Sequence, residues 1–366
     1  MKALALKPGT TNLHLKDVEE PKITTPTQVK VKVLEVGICG TDREEVKGGR
    51  ADAPKGEEEL IIGHEMLSKI VEVGKEVKEF KVGDLVVLTV RRGCGQCVPC
   101  KKDCYDMCET GNYTERGIKQ RHGYETEFVV EEQKFVIPIP ASIRSIAVLT
   151  EPTTVVEKAI QEACKIQESR IPLEGPYLKD RNVLVVGLGP IGLLATMVLR
   201  LRGAKVFGLD RAEENSLKAQ VFKELGGTYF QGEQKSQDFF KEKCPQLDMV
   251  VEAAGVAKLD FDLIQLLGFN GIYVLTGVPG DERPLNVNGG QIMKQLVLKN
   301  QVLVGSVNAS FENFKMAVKD LEEAEKKWKG VIPKIITSKT PYQEFEKALV
   351  QKPENEIKSI IVWSQE

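Results

Sequence analysis

Residues 183–210 read V-L-V-V-G-L-G-P-I-G-L-L-A-T-M-V-L-R-L-R-G-A-K-V-F-G-L-D, and this stretch decides the fold class. Three glycines, Gly187, Gly189 and Gly192, follow an apolar strand and open an amphipathic helix. This spacing permits a tight turn and lets the backbone approach a pyrophosphate at the helix N-terminus. Asp210 ends the next strand, where a carboxylate can accept hydrogen bonds from both ribose hydroxyls. We therefore expect a dinucleotide-binding Rossmann unit, the alternative being a plain glycine turn.

The segments on either side of this stretch differ in character. After it, the strands K-V-F-G-L-D, D-M-V-V-E-A-A and I-Y-V-L-T-G-V alternate with helical segments, which is typical of a parallel doubly wound sheet. Before it, residues 1–139 form short strands separated by Gly and Pro, as in V-K-V-K-V-L-E-V and L-V-V-L-T-V. The pattern predicts an α/β protein with a β-rich first part and a doubly wound parallel sheet.

Five of the eight cysteines lie in the run R-R-G-C-G-Q-C-V-P-C-K-K-D-C-Y-D-M-C-E, residues 91–109. Thiolates two residues apart on tight turns can converge on one Zn²⁺, and four of them close a tetrahedral structural site. We expect the four zinc ligands to be Cys94, Cys97, Cys100 and Cys108. Cys104 could in principle replace Cys108, and two disulfides with a spare thiol are the alternative to a metal site.

Composition narrows the classes of protein. The chain has 366 residues, of which 42% are hydrophobic and 28% charged, with 51 basic and 53 acidic side chains interspersed and a net charge of -2. A duplex-binding protein normally shows a basic excess on one face, so nucleic acid is not an expected partner. No stretch reaches the roughly eighteen apolar residues that a membrane helix needs, nor does the N-terminus resemble a signal peptide. We expect a cytoplasmic protein with reduced thiols and no membrane partner.

A second metal site is suggested by residues that precede the cysteine run. His64 and Glu65 follow an apolar strand in I-I-G-H-E, and Cys39 lies in V-G-I-C-G-T-D. Cysteine, histidine and carboxylate are the three kinds of zinc ligand, and a catalytic zinc keeps one position open for water or substrate. By spacing alone, the alternative is that these residues belong to the core. His14 is expected at the surface.

The motifs I-C-G-T-D, G-H-E, C-x-x-C-x-x-C-x(7)-C and G-L-G-P-I-G occur in this order in zinc-dependent medium-chain alcohol dehydrogenases, which the chain resembles over its whole length. The stretches C-E-T-G-N-Y-T-E-R-G-I, T-E-P-T-T-V-V-E-K-A, E-L-G-G-T-Y and G-S-V-N are similar to the archaeal glucose 1-dehydrogenase (aldose dehydrogenase) family. This resemblance implies a GroES-like catalytic domain over 1–177 and 308–366, with a structural zinc lobe near 91–118. It also implies a Rossmann domain over 178–307 and a homotetramer.

The resemblance further implies a catalytic zinc held by Cys39, His64, Glu65 and Glu151, and hence two zinc ions per chain. Ordinary alcohol dehydrogenases have a cysteine as third ligand. Here Cys164 lies thirteen residues beyond Glu151 and is expected to pack in the core. Thr41 matches the hydroxyl that contacts the reacting oxygen.

Substrate and cofactor residues also follow from the resemblance. Glu115 and Asn308 match side chains that hold sugar hydroxyls, together with Thr41 and Glu151, although Glu115 could instead be a solvated loop carboxylate. Val90 and Val155 replace polar residues of some relatives, which leaves the preferred sugar open. The expected cofactor contacts are Gly187, Gly189, Pro190, Ile191, Gly192, Asp210, Arg211, Thr276, Gly277, Val278, Ser306, Val307 and Asn308.

The expected reaction is oxidation of the C1 hydroxyl of an aldose to the lactone with reduction of a nicotinamide cofactor. NADP-using relatives carry Asn-Arg-Arg after the second Rossmann strand, whereas residues 209–212 here are L-D-R-A. Asp210 would repel a 2′-phosphate and Arg211 would attract it, so NAD is favoured and NADP is possible. Two alternatives remain: a dehydrogenase for sorbitol or threonine, and a zinc-ribbon binding module for nucleic acid that uses Arg91, Arg92, Lys101 and Lys102.

Overall fold

The protein is described here from a computed structural model that covers residues 1–232, 242–244, 246–280, 283–351, 353 and 355–365. The chain divides into two compact units. The first unit comprises Met1–Thr154, Asn308–Glu322 and Ile336–Glu366, and the second comprises Val155–Val307 and Glu323–Ile335. The first unit therefore contains both chain ends.

The first unit is mainly β-structure. The strands of this unit that precede the second unit in sequence are β1 (Lys2–Leu6), β2 (Leu13–Asp17), β3 (Gln28–Ile38), β4 (Leu60–Ile61), β5 (Glu65–Val73), β6 (Leu85–Leu88), β7 (Arg91–Arg92), β8 (Thr114–Arg116), β9 (Gln120–Arg121), β10 (Phe128–Glu132) and β11 (Val136–Pro138). The second unit contributes β12 (Asn182–Val186), β13 (Lys205–Asp210), β14 (Thr228–Gln231), β15 (Leu247–Glu252), β16 (Leu267–Leu275) and β17 (Val302–Gly305). The chain then returns to the first unit for β18 (Ile336–Pro341) and β19 (Lys358–Val362).

Most of the described α-helices lie wholly or partly in the second unit. In chain order they are α1 (Gly40–Val46), α2 (Val98–Lys101), α3 (Thr150–Arg170), α4 (Pro190–Leu201), α5 (Leu217–Glu224), α6 (Ala257–Ile264), α7 (Gly289–Leu298), α8 (Phe311–Lys327) and α9 (Phe345–Leu349). Short 3₁₀ turns cover Tyr105–Met107, Gln133–Phe135, Ala141–Ile143, Ala147–Leu149, Ile332–Ile335 and Tyr342–Glu344. Within the described parts of the chain, no helix has both the length and the apolar character needed to cross a bilayer.

A seven-stranded sheet forms the centre of the first unit, in the order β11-β6-β5-β3-β19-β18, with β10 also paired to β3. Strand β3 is the longest, and most of its residues are buried because it has sheet neighbours along its length. In the antiparallel register Gly37 of β3 lies opposite Glu65 of β5, and Ile38 lies opposite Ser359 of β19. This register brings together three chain segments that are far apart in sequence.

The second unit has a six-stranded parallel sheet in the order β14-β13-β12-β15-β16-β17. This is the 3-2-1-4-5-6 order of a doubly wound dinucleotide-binding sheet. Its central strand β12 has four fully buried apolar residues, Val183–Val186, because helices cover both faces of such a sheet. The predicted α/β fold class is confirmed.

The division between the units falls inside α3, whereas we predicted a domain boundary at 177/178. Most of α3 belongs to the second unit because its side chains bond there. Lys158 donates to the carbonyl of Val307 at 2.9 Å, and Gln167 donates to the hydroxyl of Tyr177 at 2.9 Å and to the carbonyl of Asn270 at 2.7 Å. The exact domain limits stay a prediction.

Candidate active site and metal centres

Four of the five clustered cysteines converge in the lobe that follows β7. The thiol sulfurs of Cys94, Cys97, Cys100 and Cys108 all lie within 4.8 Å of one another. Cys104 lies outside this group, is exposed, and donates to the carbonyl of Lys102. All eight cysteines are free thiols, so the structure has none of the disulfides of the alternative. Zinc binding by these four residues stays a prediction.

The environment of the lobe favours thiolates at some positions and thiols at others. The hydroxyl of Thr110, followed by the backbone N–H groups of Cys97 and Gln96, lowers the pKa of Cys94 to about 5. The same hydroxyl lowers the pKa of Cys108, whereas burial raises the pKa of Cys100 to about 12. A metal ion would replace the proton of Cys100, because thiolate is the form that binds zinc.

The second cluster lies where the end of β3 is next to the start of β5. Cys39 follows β3 directly and caps α1, while His64 precedes β5 and Glu65 is its first residue. The Sγ atom of Cys39 and the Nε2 atom of His64 are 3.1 Å apart. One ligand atom from each of Cys39, His64 and Glu65 lies within 4.8 Å of the other two. The structure therefore brings together three of the four predicted catalytic ligands.

The fourth predicted ligand, Glu151, is outside this three-residue group. It lies in the first turn of α3 and is partly buried. Burial raises the pKa of Glu151 to about 7; the charge of His64 opposes the increase and that of Glu65 adds to it. These electrostatic interactions place Glu151 in the surroundings of the group, and direct ligation by it stays a prediction.

Two buried charged side chains, Asp42 and Lys358, contact the candidate ligands His64 and Glu65. Asp42 contacts the Nδ1 atom of His64 at 3.3 Å through Oδ1, and its Oδ2 atom accepts the backbone N–H of Cys39 at 2.8 Å. Lys358, at the start of β19, forms an ion pair with Glu65, and both side chains are almost fully buried. A carboxylate behind a ligating imidazole fixes its tautomer and orientation, which is the usual second contact of a metal-bound histidine.

The charges in this cluster are consistent with a cation site. Burial alone would lower the pKa of His64, but Cys39 and Asp42 outweigh it and raise the pKa well above its usual value. Burial likewise opposes the charge of Lys358, while Glu65 and Cys39 raise its pKa. A thiol, an imidazole and a carboxylate that share a buried space form a zinc-type donor set, so these residues fit the metal.

The predicted hydroxyl, Thr41, lies in the first turn of α1 next to the group. Its backbone N–H donates to the Sγ atom of Cys39 at 3.1 Å, and its Oγ1 atom accepts a hydrogen bond from Arg50 at 3.2 Å. Arg50 is half exposed, so this contact leaves the hydroxyl able to exchange partners.

Glu115 and Asn308 are joined directly. The Nδ2 atom of Asn308 donates to the Oε1 atom of Glu115 at 2.6 Å, and Arg91 donates to the same oxygen at 3.0 and 2.9 Å. Glu115 is only 9% exposed, which excludes the alternative of a solvated loop carboxylate. Asn308 adopts a positive φ of 64°, a backbone region in which asparagine is enriched.

The predicted dinucleotide turn lies at the carboxyl end of β12 in the second unit. Gly189 caps α4, and a Cβ atom at Gly192 would collide with the carbonyl of Gly187, so helix and turn can approach closely only with glycine. The carboxylate of Asp210 accepts the backbone N–H of Leu188 at 2.6 Å and that of Ala212 at 2.8 Å. A cavity of about 420 Å³ beside these residues is also lined by Arg211.

The remaining predicted cofactor residues follow neighbouring strands. Thr276 follows β16 and donates through both its N–H and its hydroxyl to the carbonyl of Glu252. Ser306 follows β17 and donates to Glu162 at 2.9 Å. Val278 and Val307 are more than half exposed. Contact of Thr276, Val278, Ser306 and Val307 with a cofactor stays a prediction.

Sequence reasoning missed Asp42, Lys358 and the role of Arg91. Asp42 could have been noticed, since it lies three residues after Cys39 in the predicted motif and three residues is the spacing of a capping box. Lys358 has no such signal, because its partner Glu65 is distant in sequence. Cys164 lies in neither metal group, and burial raises its pKa to about 12, as expected for a packed thiol.

Two family profiles together match most of the chain. The family described as "Glucose dehydrogenase C-terminus" matches residues 144–362, and "Alcohol dehydrogenase GroES-like domain" matches residues 25–141. The first of these alone spans more than half of the chain.

Individual relatives match over nearly their whole length. Glucose 1-dehydrogenase of Methanocella arvoryzae is 38% identical over 351 residues, covering 95% of this chain and 96% of the relative. That of Thermoproteus tenax is 38% identical over 355 residues, covering 96% of each. Among solved structures, Haloferax mediterranei glucose dehydrogenase in complex with NADP, Zn and gluconolactone has a TM-score of 0.88 at 31% identity and covers 100% of both chains.

Proposed function

This chain belongs to the glucose dehydrogenase family of zinc-dependent medium-chain alcohol dehydrogenases, and we propose that it oxidises the C1 hydroxyl of glucose to the lactone with hydride transfer to NAD(P). The observation that carries the proposal is the convergence of Cys39 with the adjacent pair His64 and Glu65: Cys39 precedes His64 by 25 residues, yet the three side chains offer ligand atoms within 4.8 Å of one another. The relatives act on glucose by name, and one of them has been solved with gluconolactone.

Zinc bound by Cys39, His64 and Glu65 would supply a Lewis acid that lowers the pKa of the sugar hydroxyl, as zinc does for water. The protein's own residues orient the reactants. Asp42 lies behind His64, with its Oδ1 atom 3.3 Å from Nδ1, and the Nε2 atom on the other side of the ring faces Cys39. Thr41 would accept the hydroxyl proton at Oγ1 and release its own hydroxyl proton to solvent, while Arg50, which can only donate to Oγ1, stays charged. The C1 hydrogen leaves with its two electrons for the nicotinamide ring, and the products are the lactone and the reduced cofactor.

Sugar recognition is assigned to Glu115, Asn308 and Glu151, which remains a proposal for each. Glu115 and Asn308 support it because they form a part-buried, hydrogen-bonded pair although 193 residues separate them. A site that hydrogen-bonds a substrate hydroxyl discriminates strongly against analogues that lack it, because its buried polar groups would be left unpaired.

A substrate panel tests the reaction class. We expect kcat/KM for glucose to exceed that for sorbitol and threonine by at least about 10³-fold, because only a cyclic aldose presents a C1 hydroxyl beside further ring hydroxyls for Glu115 and Asn308. Galactose, xylose and arabinose measured alongside define the range of aldoses. Comparable turnover of sorbitol or threonine would contradict the assignment.

The choice of cofactor is proposed to favour NAD, with NADP still used. Asp210 places a carboxylate beside the cavity at the end of β13, where it would repel a 2′-phosphate. Arg211 supplies an attractive cation in the same cavity, which Lys218, Lys258 and Asp262 also line. Ala212 stands where the NADP-using pattern has its second arginine. The Haloferax relative was solved with NADP.

Exchange of two residues tests this balance. We expect kcat/KM for NAD to exceed that for NADP, and Asp210→Asn with Ala212→Arg to reverse the order, because a repulsive charge is replaced and a phosphate ligand is added. Ala212→Arg alone is the matched control, since it keeps the two backbone hydrogen bonds that Asp210 accepts. A tenfold preference of the unmodified enzyme for NADP, about 1.4 kcal/mol in the other direction, would mean that the cations lining the cavity outweigh Asp210.

We also propose a homo-oligomer, specifically the tetramer that the resemblance implies. Strand β17 is the last strand of its sheet order, and on α7 the apolar side chains of Met293, Val297 and Leu298 are 61%, 75% and 64% exposed. Contiguous exposed apolar side chains of this size are typical of a surface that another subunit covers. A cytoplasmic location stays a prediction.

A further inference from the structure

Arg91 links the four-cysteine lobe to the proposed sugar site. Arg91 and Glu115 are directly opposite one another in the antiparallel pair β7 and β8. The Nε and Nη2 atoms of Arg91 donate to Oε1 of Glu115, and its Nη1 atom donates to the backbone carbonyl of Asp106 at 2.8 Å. Asp106 lies in the 3₁₀ turn that immediately precedes the metal-site residue Cys108.

Only one of the two carboxylate oxygens of Glu115 accepts hydrogen bonds from the described residues. Those from Arg91 and from Asn308 all go to Oε1, and among the described residues none goes to Oε2. Oε2 is therefore the atom that can accept a ligand hydroxyl. A carboxylate held by three donors on one oxygen cannot rotate freely, so the direction of its second oxygen is set by the protein before a sugar binds.

The guanidinium group itself is held in place. It stacks on the ring of Tyr113 at 4.0 Å, and Lys119 lies 3.9 Å from the same ring. Stacking and forked donation both require the planar guanidinium, and lysine reproduces neither. The neighbour Arg92 is similarly buried but does not contact Glu115: its guanidinium donates to Glu131, to Thr89 and to the backbone carbonyl of Arg91.

We propose that Arg91 is a positioning residue for substrate affinity: it orients Glu115 toward the sugar and is itself anchored on the carbonyl of Asp106 in the cysteine lobe. This proposal rests on the proposed function, since it deepens the role given there to Glu115. The four-cysteine lobe would then influence KM for the sugar, in addition to its part in folding.

The test compares Arg91→Lys, Glu115→Gln, the double variant, and Arg92→Lys as the matched control. Glucose KM and kcat, NAD KM, the calorimetric Kd for gluconolactone and the thermal midpoint are measured for each. We expect Glu115→Gln and Arg91→Lys each to raise glucose KM and gluconolactone Kd about tenfold or more, with kcat and NAD KM within about twofold. The double variant should match the more severe single variant, because both changes act on one carboxylate.

Arg92→Lys is expected to lower the thermal midpoint without a comparable rise in KM, since none of the hydrogen bonds of Arg92 reaches the side chain of Arg91 or of Glu115. Should Arg91→Lys leave KM and Kd unchanged while Glu115→Gln raises them, the positioning role of Arg91 is wrong and the proposed function stands. Unchanged values in both variants would remove Glu115 from the sugar site. An equal rise in Arg92→Lys would show a general loss of packing and would also overturn the proposal.

Discussion

Replacement of His64 by alanine is expected to abolish glucose oxidation, with a loss of at least about 10³-fold in kcat, equivalent to about 4 kcal/mol of transition-state stabilisation. The reason is that His64 is the only imidazole in the group formed with Cys39 and Glu65. Its removal leaves two anionic ligands, the thiolate of Cys39 and the carboxylate of Glu65, and also leaves Asp42 buried without its contact to the imidazole. Binding of NAD should persist, because the dinucleotide turn lies in the other unit.

Metal analysis and cofactor fluorescence check this expectation. The unmodified protein should contain two zinc ions per chain, and His64→Ala should contain one. The matched control is His122→Ala, since that imidazole bonds to Glu57 and to the backbone N–H of Ile61 and belongs to neither cysteine-containing group. Full activity or two zinc ions in His64→Ala would show that the catalytic metal is held elsewhere.

Replacement of Cys108 by serine is expected to remove the metal of the cysteine lobe and to lower the thermal midpoint by about 6 °C or more, on the basis of a loss of about 3 kcal/mol or more. A closed four-thiolate site contributes binding energy to folding, and three ligands hold zinc much less firmly than four. Since Arg91 is anchored on Asp106 in the turn before Cys108, glucose KM should rise as well.

Cys104→Ser is the matched control for this experiment. It changes the same atom in the same lobe, but its thiol is exposed and lies outside the four-residue group. Zinc content and the calorimetric midpoint of Cys104→Ser should equal those of the unmodified protein. If Cys104→Ser loses the metal and Cys108→Ser retains it, the assignment of the fourth ligand is wrong.

Features that depend on neighbouring residues could be predicted from the sequence. The glycine turn over 187–192 and the acid at 210 follow from backbone geometry over one strand, one turn and one helix, and the predicted fold class is confirmed by the parallel sheet. The convergence of Cys94, Cys97, Cys100 and Cys108 is of the same kind, because the spacing of thiols in short turns limits where their sulfur atoms can lie. In both cases the interacting groups are close along the chain.

Contacts between residues that are distant in sequence depend on the register of the strands. That register could not be predicted from the residues near each contact. The alignment of β3 with β5 and β19 decides that Glu65 meets Lys358, and the pairing of β7 with β8 decides that Arg91 meets Glu115. The sequence did not decide whether Glu115 is exposed. Glutamate usually lies in solvent, and only the hydrogen-bond donors around this residue make its burial favourable. The sequence by itself determined the fold class and which residues could bind a metal or a dinucleotide. The tertiary structure alone decided which charges lie behind them, because buried charges are stabilised by partners that only the folded sheet brings within hydrogen-bonding distance.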